Sequence, residues 1–276
     1  MTQVTFKCIN KFHNWQRSGN TFHNGFFANV VPNGEDYIGA CRYGAGNHYD
    51  HIHILHYDKD FNLTSRKDIT SGEDPRTFIY KNKPYAVTWD PSPKGDKPEA
   101  QLQYKIIDLL DEKVIELDIN SVHPHDTTRF LGKNWMPLVK DGELYIVLTI
   151  DPKPNILHCN LESAECTWVT PWDALDINSR ITSSRGGTPF IYNKKLDKYI
   201  GFGHRTHSYA NHKPFLYTLS KDFKTSSVGE DIITGSGLDH EDPLSIYEKD
   251  GKIYCCIGTL GNVTSEFSYI YEVTIE

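Results

Sequence analysis

Four short polar motifs, each directly before a segment with the composition of a β-strand, carry the residues best suited to chemistry. Their sequences are EDPR at 73–76, KNW at 133–135, RGG at 185–187 and HED at 240–242. Charged side chains are unusual at these positions, because a strand with only a structural role would place apolar residues there. Reaction at the anomeric carbon of a sugar needs an acid that protonates the leaving oxygen and a group that supplies the nucleophile. The motifs contain carboxylates for both tasks.

Asp74 is the strongest candidate for the acid. On an extended strand its side chain points to the same side as that of Arg76, while Glu73 points to the other side. Arg76 would lower the pKa of Asp74, whereas burial and nearby carboxylates would raise it. The alternative is an ion pair between Asp74 and Arg76 that only locks the start of the strand.

The other candidates divide by chemistry. Lys133, His204 and Arg205, together with Arg185, could hold the phosphate groups of a sugar donor. Trp135 and Tyr43 offer aromatic faces for stacking on a sugar ring. The residues predicted to bind substrate are Arg42, Tyr43, Glu73, Arg76, Asn134, Trp135, Asp151, Arg185, Gly187, His240, Glu241 and Asp242.

A repeat predicts how these residues are positioned. Pro75, Pro137, Pro189 and Pro243 are spaced by 62, 52 and 54 residues, and each is followed within 8 to 11 residues by a tyrosine. A degenerate copy runs through residues 23–38, which makes five copies. Each copy continues into further β-rich segments, so the repeat has the arithmetic of a propeller blade. The sequence predicts an all-β, five-bladed β-propeller that spans residues 1–276 as a single domain, with a β-sandwich or two smaller β domains as competitors.

A propeller would bring the four motifs together. The first strand of each blade lies nearest the axis, and the chain enters it from one face. Residues at the starts of these strands would therefore converge on one central funnel.

The motifs also resemble those of a known family. The segments GEDPRTFI at 72–79, KNWMP at 133–137, GGTP at 186–189 and GFGH at 201–204 together look like the mannoside phosphorylases of glycoside hydrolase family 130 and the related β-1,2-mannosyltransferases. The resemblance extends over roughly residues 20–275. It implies an inverting reaction on β-mannosides.

The resemblance also implies roles for single residues. Asp74 would be the acid, and its proton would travel through a hydroxyl of the bound sugar. Arg42 and Asn134 would contact the sugar, and His204 a phosphate or second substrate. The chain departs from the phosphorylases at Asp151, where they usually place an arginine that grips phosphate.

An aspartate at that position would repel phosphate, so the sequence favours transfer from a sugar nucleotide or sugar phosphate to a glycan acceptor over phosphorolysis. One alternative is an inverting hydrolase of β-mannosides, with Glu241 or Asp242 as its base about 6.5–9.5 Å from Asp74. The other is a sugar-binding propeller without catalytic activity.

Composition sets the remaining expectations. A net charge of -7, from 29 basic and 36 acidic residues, gives no reason to expect a nucleic-acid partner. No apolar run is long enough to span a membrane, and no signal-peptide pattern opens the chain. The six cysteines show no metal-ligand spacing. We therefore expect no metal, no cofactor, a cytoplasmic location and reduced thiols, although Cys159 and Cys166 could face each other across a hairpin.

Overall fold

Short β-rich segments separated by turns form the strands that the sequence predicts. The computed structural model describes residues 2–13, 25–44, 50–90, 103–119, 134–151, 153–170, 184–208, 211–259 and 267–276. Within these ranges the strands pair into five antiparallel sheets. No described helix is long and apolar enough to cross a membrane.

Each sheet is one blade, and its strands follow chain order from the inner edge outward. Blade I contains β2 (Gly25–Asn33), β3 (Asp36–Gly44), β4 (Asp50–Tyr57) and β5 (Leu63–Ser71). Blade II contains β6 (Glu73–Tyr80), β7 (Lys83–Asp90), β8 (Gln103–Asp108) and β9 (Lys113–Glu116). Blade III contains β10 (Met136–Lys140), β11 (Glu143–Thr149), β12 (Asn155–Cys159) and β13 (Cys166–Trp168).

The last two blades depart from this pattern. Blade IV has a divided inner strand, β14 (Ser184–Arg185) and β15 (Ile191–Asn193), followed by β16 (Lys198–Ser208), β17 (Asn211–Leu219) and β18 (Ser226–Asp231). Blade V contains β19 (Glu241–Lys249), β20 (Lys252–Thr259) and β21 (Phe267–Ile275), and its fourth strand is β1 (Val4–His13) from the other end of the chain. Pairing of β1 with β21 closes the ring, because it joins both chain ends in one sheet.

Hydrophobic side chains fill the space between neighbouring blades and hold them face to face. Phe78 and Ile146 meet between blades II and III, and Leu138 and Phe215 meet between blades III and IV. The remaining interfaces are built in the same way and contain, among others, Phe202 and Ile257 (IV–V), Val30 and Ile270 (V–I), and Ile54 and Ile107 (I–II). The predicted five-bladed propeller is confirmed.

The repeated tyrosines mark equivalent places in the blades, but the repeated prolines do so only in part. Tyr85, Tyr145, Tyr199 and Tyr254 pair across the inner hairpin with Phe78, Leu138, Tyr192 and Tyr247, respectively. Pro75 and Pro189 each precede the partner residue by three positions. Pro137 lies only one position before its partner, and Pro243 lies four before. The sequence alignment of the four prolines is therefore wrong by two positions in blade III and by one in blade V, where a bulge interrupts β19.

Left-handed backbone recurs at the starts of the inner strands. Phe27, Asp74 and Asn134 have φ values of 55°, 46° and 72°. In blades I and II the regular pairing is interrupted at this point, between Phe26 and Asn29 and between Glu73 and Arg76. A bulge of this kind turns a side chain away from the direction that strand alternation would give it. This repeated feature sets the geometry of the axis.

Two glycines allow close contact of blade IV with its neighbours. A Cβ on Gly186 would lie 2.0 Å from the carbonyl oxygen of Asn134 at the start of blade III. One on Gly187 would lie 3.0 Å from that of Pro243 in blade V and 2.3 Å from that of Phe202 within blade IV. Gly187 is therefore explained by packing, and the structure gives it no side chain with which to bind the predicted substrate.

The expectation that all thiols are reduced is wrong. Cys159 and Cys166 are directly opposite each other on β12 and β13 and form a disulfide. Their Cα atoms are 4.1 Å apart, which brings the two side chains within bonding reach. The other four cysteines, Cys8, Cys41, Cys255 and Cys256, are free.

Candidate active site

The Arg42 guanidinium, at the end of β3, gathers three carboxylates. Nη2 contacts Asp50, while Nη1 lies 2.8 Å from Oδ1 of Asp74 and 3.3 Å from Oε2 of Glu73. Burial alone would lower the pKa of Arg42, but the charges of Asp74, Glu73 and Asp50 raise it above its usual value. Arg42 is therefore a fixed cation shared by three acids.

The position of Glu73 differs from the sequence prediction. Simple strand alternation placed Glu73 and Asp74 on opposite sides, but both carboxylates contact the same nitrogen of Arg42. The left-handed φ of 46° at Asp74 and the break in pairing after Glu73 explain the difference. Asp74 is buried, whereas the side chain of Glu73 retains 18% of its exposure.

Arg76 does not use its guanidinium to pair with the Asp74 side chain, as the alternative interpretation of the sequence required. It donates from Nη1 to the backbone carbonyls of Asp74 and Pro75, both at 3.3 Å, and from Nη2 to Oδ1 of Asn134 at 2.5 Å. The side chain is 1% exposed. Burial lowers its pKa, and the charges of Asp74 and Asp242 oppose this effect. Arg76 thus lies in the field of carboxylates from blade II and blade V.

Three histidines surround Asp242. Oδ1 of Asp242 lies 2.8 Å from Nδ1 of His212 and 3.6 Å from Nδ1 of His204, and Oδ2 lies 3.1 Å from Nε2 of His240. Burial would raise the pKa of Asp242, but the histidines hold it well below its usual value. Burial lowers the pKa of His204 to about 4, which leaves its ring neutral at pH 7. Asp242 is therefore ionised.

The group His204, His212 and Asp242 could hold a metal ion. Their ligand atoms lie within 4.8 Å of one another. Two ring nitrogens and one carboxylate oxygen suit Zn²⁺ and similar ions. The sequence did not indicate this group, because no ligand spacing connects residues 204, 212 and 242.

The charged and amide side chains around Arg42 and Arg76 are treated below as one set, which we call the axial cluster. Its members are Arg42, Asp50, Glu73, Asp74, Arg76, Asn134 and Asp242.

Two further ion pairs support the start of the inner strands. Lys105 is buried and donates to Asp90 at 2.8 Å and to the carbonyl of Ser71 at 3.0 Å, which ties blade II to blade I. Glu241 accepts from Thr234 and Ser236 and lies 3.4 Å from Lys213. Glu241 therefore faces a different set of groups from its neighbour Asp242.

Several predicted site residues have other contacts. Trp135 is buried, and Tyr104 stacks on its ring with centroids 3.7 Å apart, so this face is closed to a sugar. Tyr43 lies 5.0 Å from the ring of His53. Asp151 is partly exposed and follows β11 in blade III. Burial raises the pKa of Tyr217 to about 12, and the charge of Asp151 adds to this effect.

The described residues of the predicted phosphate-binding set have contacts within the protein. Arg205 contacts Asp231 and donates to the carbonyl of Gly229, near the outer strand of its blade. His204 is 1% exposed and faces Asp242. Arg185 is exposed and pairs with His204 through the backbone. Lys133 lies outside the described residues.

Sequence reasoning missed His212 and Asn29. His212 belongs to none of the four motifs. It lies beside Asp242 because an isolated β-bridge pairs it with His240. Asn29 lies within the degenerate first copy of the repeat, and its amide contacts the backbone beside Arg76. Its polarity in an otherwise apolar inner strand was the only signal.

Comparisons with known proteins give a likeness in fold. No protein-family model and no curated protein sequence matches the chain. The exo-β-1,3-galactanase of Phanerochaete chrysosporium superposes with a TM-score of 0.59 at 12% identity, over 95% of this chain and 64% of that one. A glycoside hydrolase family 43 protein of Bacillus licheniformis gives 0.55 at 15%, over 97% and 54%.

A third structure matches along nearly its whole length. The catalytic domain of a family 62 α-L-arabinofuranosidase from Coprinopsis cinerea gives a TM-score of 0.63 at 8% identity, over 98% of this chain and 97% of that one. The chain thus spans less than two thirds of the first two structures and almost all of the third. The resemblance to family 130 in particular receives no support from these neighbours.

Proposed function

We propose that the protein is a glycoside hydrolase that cleaves a glycan at the propeller axis, with Asp74 as a reacting carboxylate. The observation that carries the proposal is the axial cluster, in which Asp74 lies 2.8 Å from Arg42 and within the field of Arg76. Acids and arginines from blades I, II and V meet there with Asn134 at the start of blade III, although an inner strand with only a structural role needs none of them. The fold shared with carbohydrate-acting enzymes supports the same class of substrate.

Hydrolysis is favoured over transfer from a phosphorylated donor by the charges around Asp74. Arg42 is already shared by Asp50, Glu73 and Asp74. A phosphate near this group would be repelled by the carboxylates. Arg205, one of the predicted phosphate ligands, is neutralised by Asp231. The three structural neighbours described above, which are named for hydrolysis of galactan or arabinofuranosides or for a hydrolase family, agree with this choice.

The contact with Arg42 bears on the role of Asp74. An arginine at 2.8 Å stabilises the ionised form of a carboxylate, which is the form of a general base or of a group that stabilises positive charge on the sugar. Glu73 is farther from Arg42, more exposed and crowded by two other carboxylates. We therefore assign proton donation to Glu73 and the ionised role to Asp74, the reverse of the acid role that the resemblance implies for Asp74.

The stereochemical outcome identifies the partner of Asp74. The Glu73 and Asp74 oxygens contact one nitrogen at 3.3 and 2.8 Å, so these oxygens are closer together than the roughly 6.5–9.5 Å of an inverting pair. Inversion, which the resemblance implies, would require a protonated partner farther from Asp74 than Glu73, a role that the ionised Asp242 does not fill. Retention of the anomeric configuration would support Glu73 as the partner of Asp74.

The test is a substrate screen on the purified protein. Disaccharides and aryl glycosides of xylose, arabinofuranose, galactose and mannose are incubated beside mannose 1-phosphate and GDP-mannose with a glycan acceptor. We expect free sugar from at least one glycoside and no release of phosphate or GDP. Proton NMR of the first product formed then gives its anomeric configuration. Release of GDP or phosphate that depends on acceptor, without hydrolysis, would overturn the proposal.

Glu73→Gln tests the assignment of the acid. Its activity should fall strongly on disaccharides and much less on a dinitrophenyl glycoside, because that leaving group departs without protonation. Asp68→Asn, which changes an exposed carboxylate of blade I, is the control and should match the parent protein. An equal loss by Glu73→Gln on both substrate types would remove Glu73 from the acid role.

A further inference from the structure

Asn29 is buried where blade I meets blade II, with no exposed surface. Its Nδ2 lies 3.1 Å from the carbonyl of Phe27, 3.2 Å from that of Ala40 and 3.0 Å from that of Pro75. Its Oδ1 accepts from the backbone N–H of Thr77 at 2.7 Å and from the Thr77 hydroxyl. One side chain therefore uses both ends of its amide within the interface.

The two backbone groups bound in blade II belong to the inner edge of β6. The carbonyl of Pro75 and the N–H of Thr77 flank Arg76 and point to the same side of the strand. A paired strand would offer them one N–H and one C=O, and the Asn29 carboxamide offers the same two groups. Asn29 thus takes the part of a neighbouring strand at this place on the edge of β6.

This place adjoins the bulge that orients Asp74. Asp74 has a φ of 46°, a conformation that is uncommon for residues other than glycine, although aspartate and asparagine adopt it more often than the rest. Such a conformation persists when the surrounding structure fixes it. Pro75, held by Asn29, is the next residue in the chain. Without that hold, the strand can relax toward regular pairing, which would turn Glu73 and Asp74 to opposite sides.

We propose that Asn29 is a positioning residue, which fixes the backbone of β6 and thereby keeps Asp74 and Glu73 on the same nitrogen of Arg42. This inference rests on the proposed function for its effect on activity, but its structural part does not. Asn29 touches neither carboxylate and acts only through residues 75–77.

The chain offers a matched control. Ser245 also lies four residues before the end of an inner strand, is buried with no exposed surface, and donates 2.8 Å to the carbonyl of Val30 in the next blade. It links blade V to blade I and makes no contact with residues 73–77 in the described hydrogen bonds. Ser245→Ala removes a buried hydrogen bond between blades at the same register without touching β6.

The experiment compares Asn29→Ala, Asn29→Asp and Ser245→Ala with the parent protein. Amide hydrogen exchange of Thr77 is the first readout, because this N–H is bound by Oδ1 of Asn29. We expect exchange at Thr77 to rise at least tenfold in Asn29→Ala and to stay unchanged in Ser245→Ala. Asn29→Asp keeps the acceptor for the N–H of Thr77 and loses the donor to the carbonyl of Pro75. Exchange at Thr77 should therefore stay slow in this variant, while kcat should still fall.

Kinetics on the best glycoside from the screen is the second readout. Asn29→Ala and Asn29→Asp should lower kcat by about 10- to 100-fold with KM changed less than threefold, and Ser245→Ala should keep kcat within twofold. Unchanged Thr77 exchange in Asn29→Ala, or equal kcat losses in the Asn29 and Ser245 variants, would overturn the proposal. If Asn29→Ala does not fold, Asn29→Asp decides by kcat alone: a kcat loss no larger than that of Ser245→Ala would overturn the proposal. If the parent protein cleaves no glycoside, the proposed function fails, and a crystal structure of Asn29→Asp decides whether Asp74 has left Arg42.

Discussion

At the scale of single residues, the charged side chains of the site pair with one another. Arg42 is shared by Asp50, Glu73 and Asp74, and Asp242 is enclosed by histidines. A buried carboxylate costs much free energy unless it is paired and hydrogen-bonded. These contacts explain how several acids coexist near one axis.

His53 should make the protein sensitive to acid. Burial lowers its pKa to about 4, and neither ring nitrogen has a hydrogen-bond partner among the described residues. Because the folded pKa lies below the unfolded value of about 6.5, the unfolded state takes up the proton first. Stability is therefore lost as the pH falls from about 6.5 to about 4. His204 contributes with the same sign.

His53→Leu removes one of these groups. Urea unfolding at pH 7 and pH 4.5 should show that the variant loses roughly 2–3 kcal/mol less stability on acidification than the parent. Ile9→Ala, which changes an exposed side chain without a titratable group, should leave the pH dependence unchanged. A His53→Leu variant that loses as much stability as the parent would show that His53 is protonated in the folded state.

Asp74 shows which features of the site can be predicted from single residues and which cannot. The sequence pointed to Asp74 and Arg76 because two charges stand where a strand begins. It could not give their partners, since the direction of the Asp74 side chain depends on a left-handed φ that a non-glycine residue adopts only under tertiary constraint. Strand alternation, the rule available from sequence alone, therefore placed Glu73 wrongly.

At the scale of elements, hairpins and their turns were predictable and the outer strands less so. The tyrosine repeat located the inner hairpins because turn chemistry and alternation are local. The proline repeat misaligned blade V because a bulge adds a residue to β19, and it misaligned blade III because Pro137 lies two positions later along an inner hairpin that pairs without a register shift. The pairing of β1 with blade V was not predicted, since it joins segments about 260 residues apart.

At the scale of elements, the disulfide between β12 and β13 can be tested by chemical labelling. Alkylation of the unfolded, unreduced protein should label four of the six cysteines, and prior reduction should expose all six. Replacing Cys159 and Cys166 by alanine should cost about 2 kcal/mol, because the bridge closes a short loop in the unfolded chain. Six labels without reduction would mean that the two thiols are free. The disulfide would suit an oxidising compartment rather than the cytoplasmic location expected from sequence.

At the scale of the whole molecule, polar contacts join neighbouring blades around the axis. Asn29 binds Thr77, Arg76 binds Asn134, and the N–H of Phe190 donates to Pro137 at 2.7 Å. His212 contacts Asp242, and Ser245 donates to Val30. These five contacts connect blades I to II, II to III, III to IV, IV to V and V to I. Residues far apart in the chain share one site because the ring closes.

Ring closure by β1 can be tested with one variant and a control on the same strand. Phe12 is 2% exposed and packs against Tyr57 of blade I, with ring centroids 5.1 Å apart. Phe12→Ala should lower the free energy of unfolding by about 3–5 kcal/mol. Ile9→Ala, at a position 45% exposed, should cost less than about 1 kcal/mol. Equal small losses in chemical denaturation would show that the ring does not depend on this strand.

Asp74→Asn tests the central claim most directly. Asparagine already occupies the equivalent left-handed position in blade III, where Asn134 has a φ of 72°, so the variant should fold and melt like the parent. We expect cleavage of the best glycoside to fall by about 10²- to 10⁴-fold, while calorimetric affinity for the sugar product changes only a few-fold. Cleavage within tenfold of the parent rate in a folded Asp74→Asn variant would contradict a reaction centred on this carboxylate.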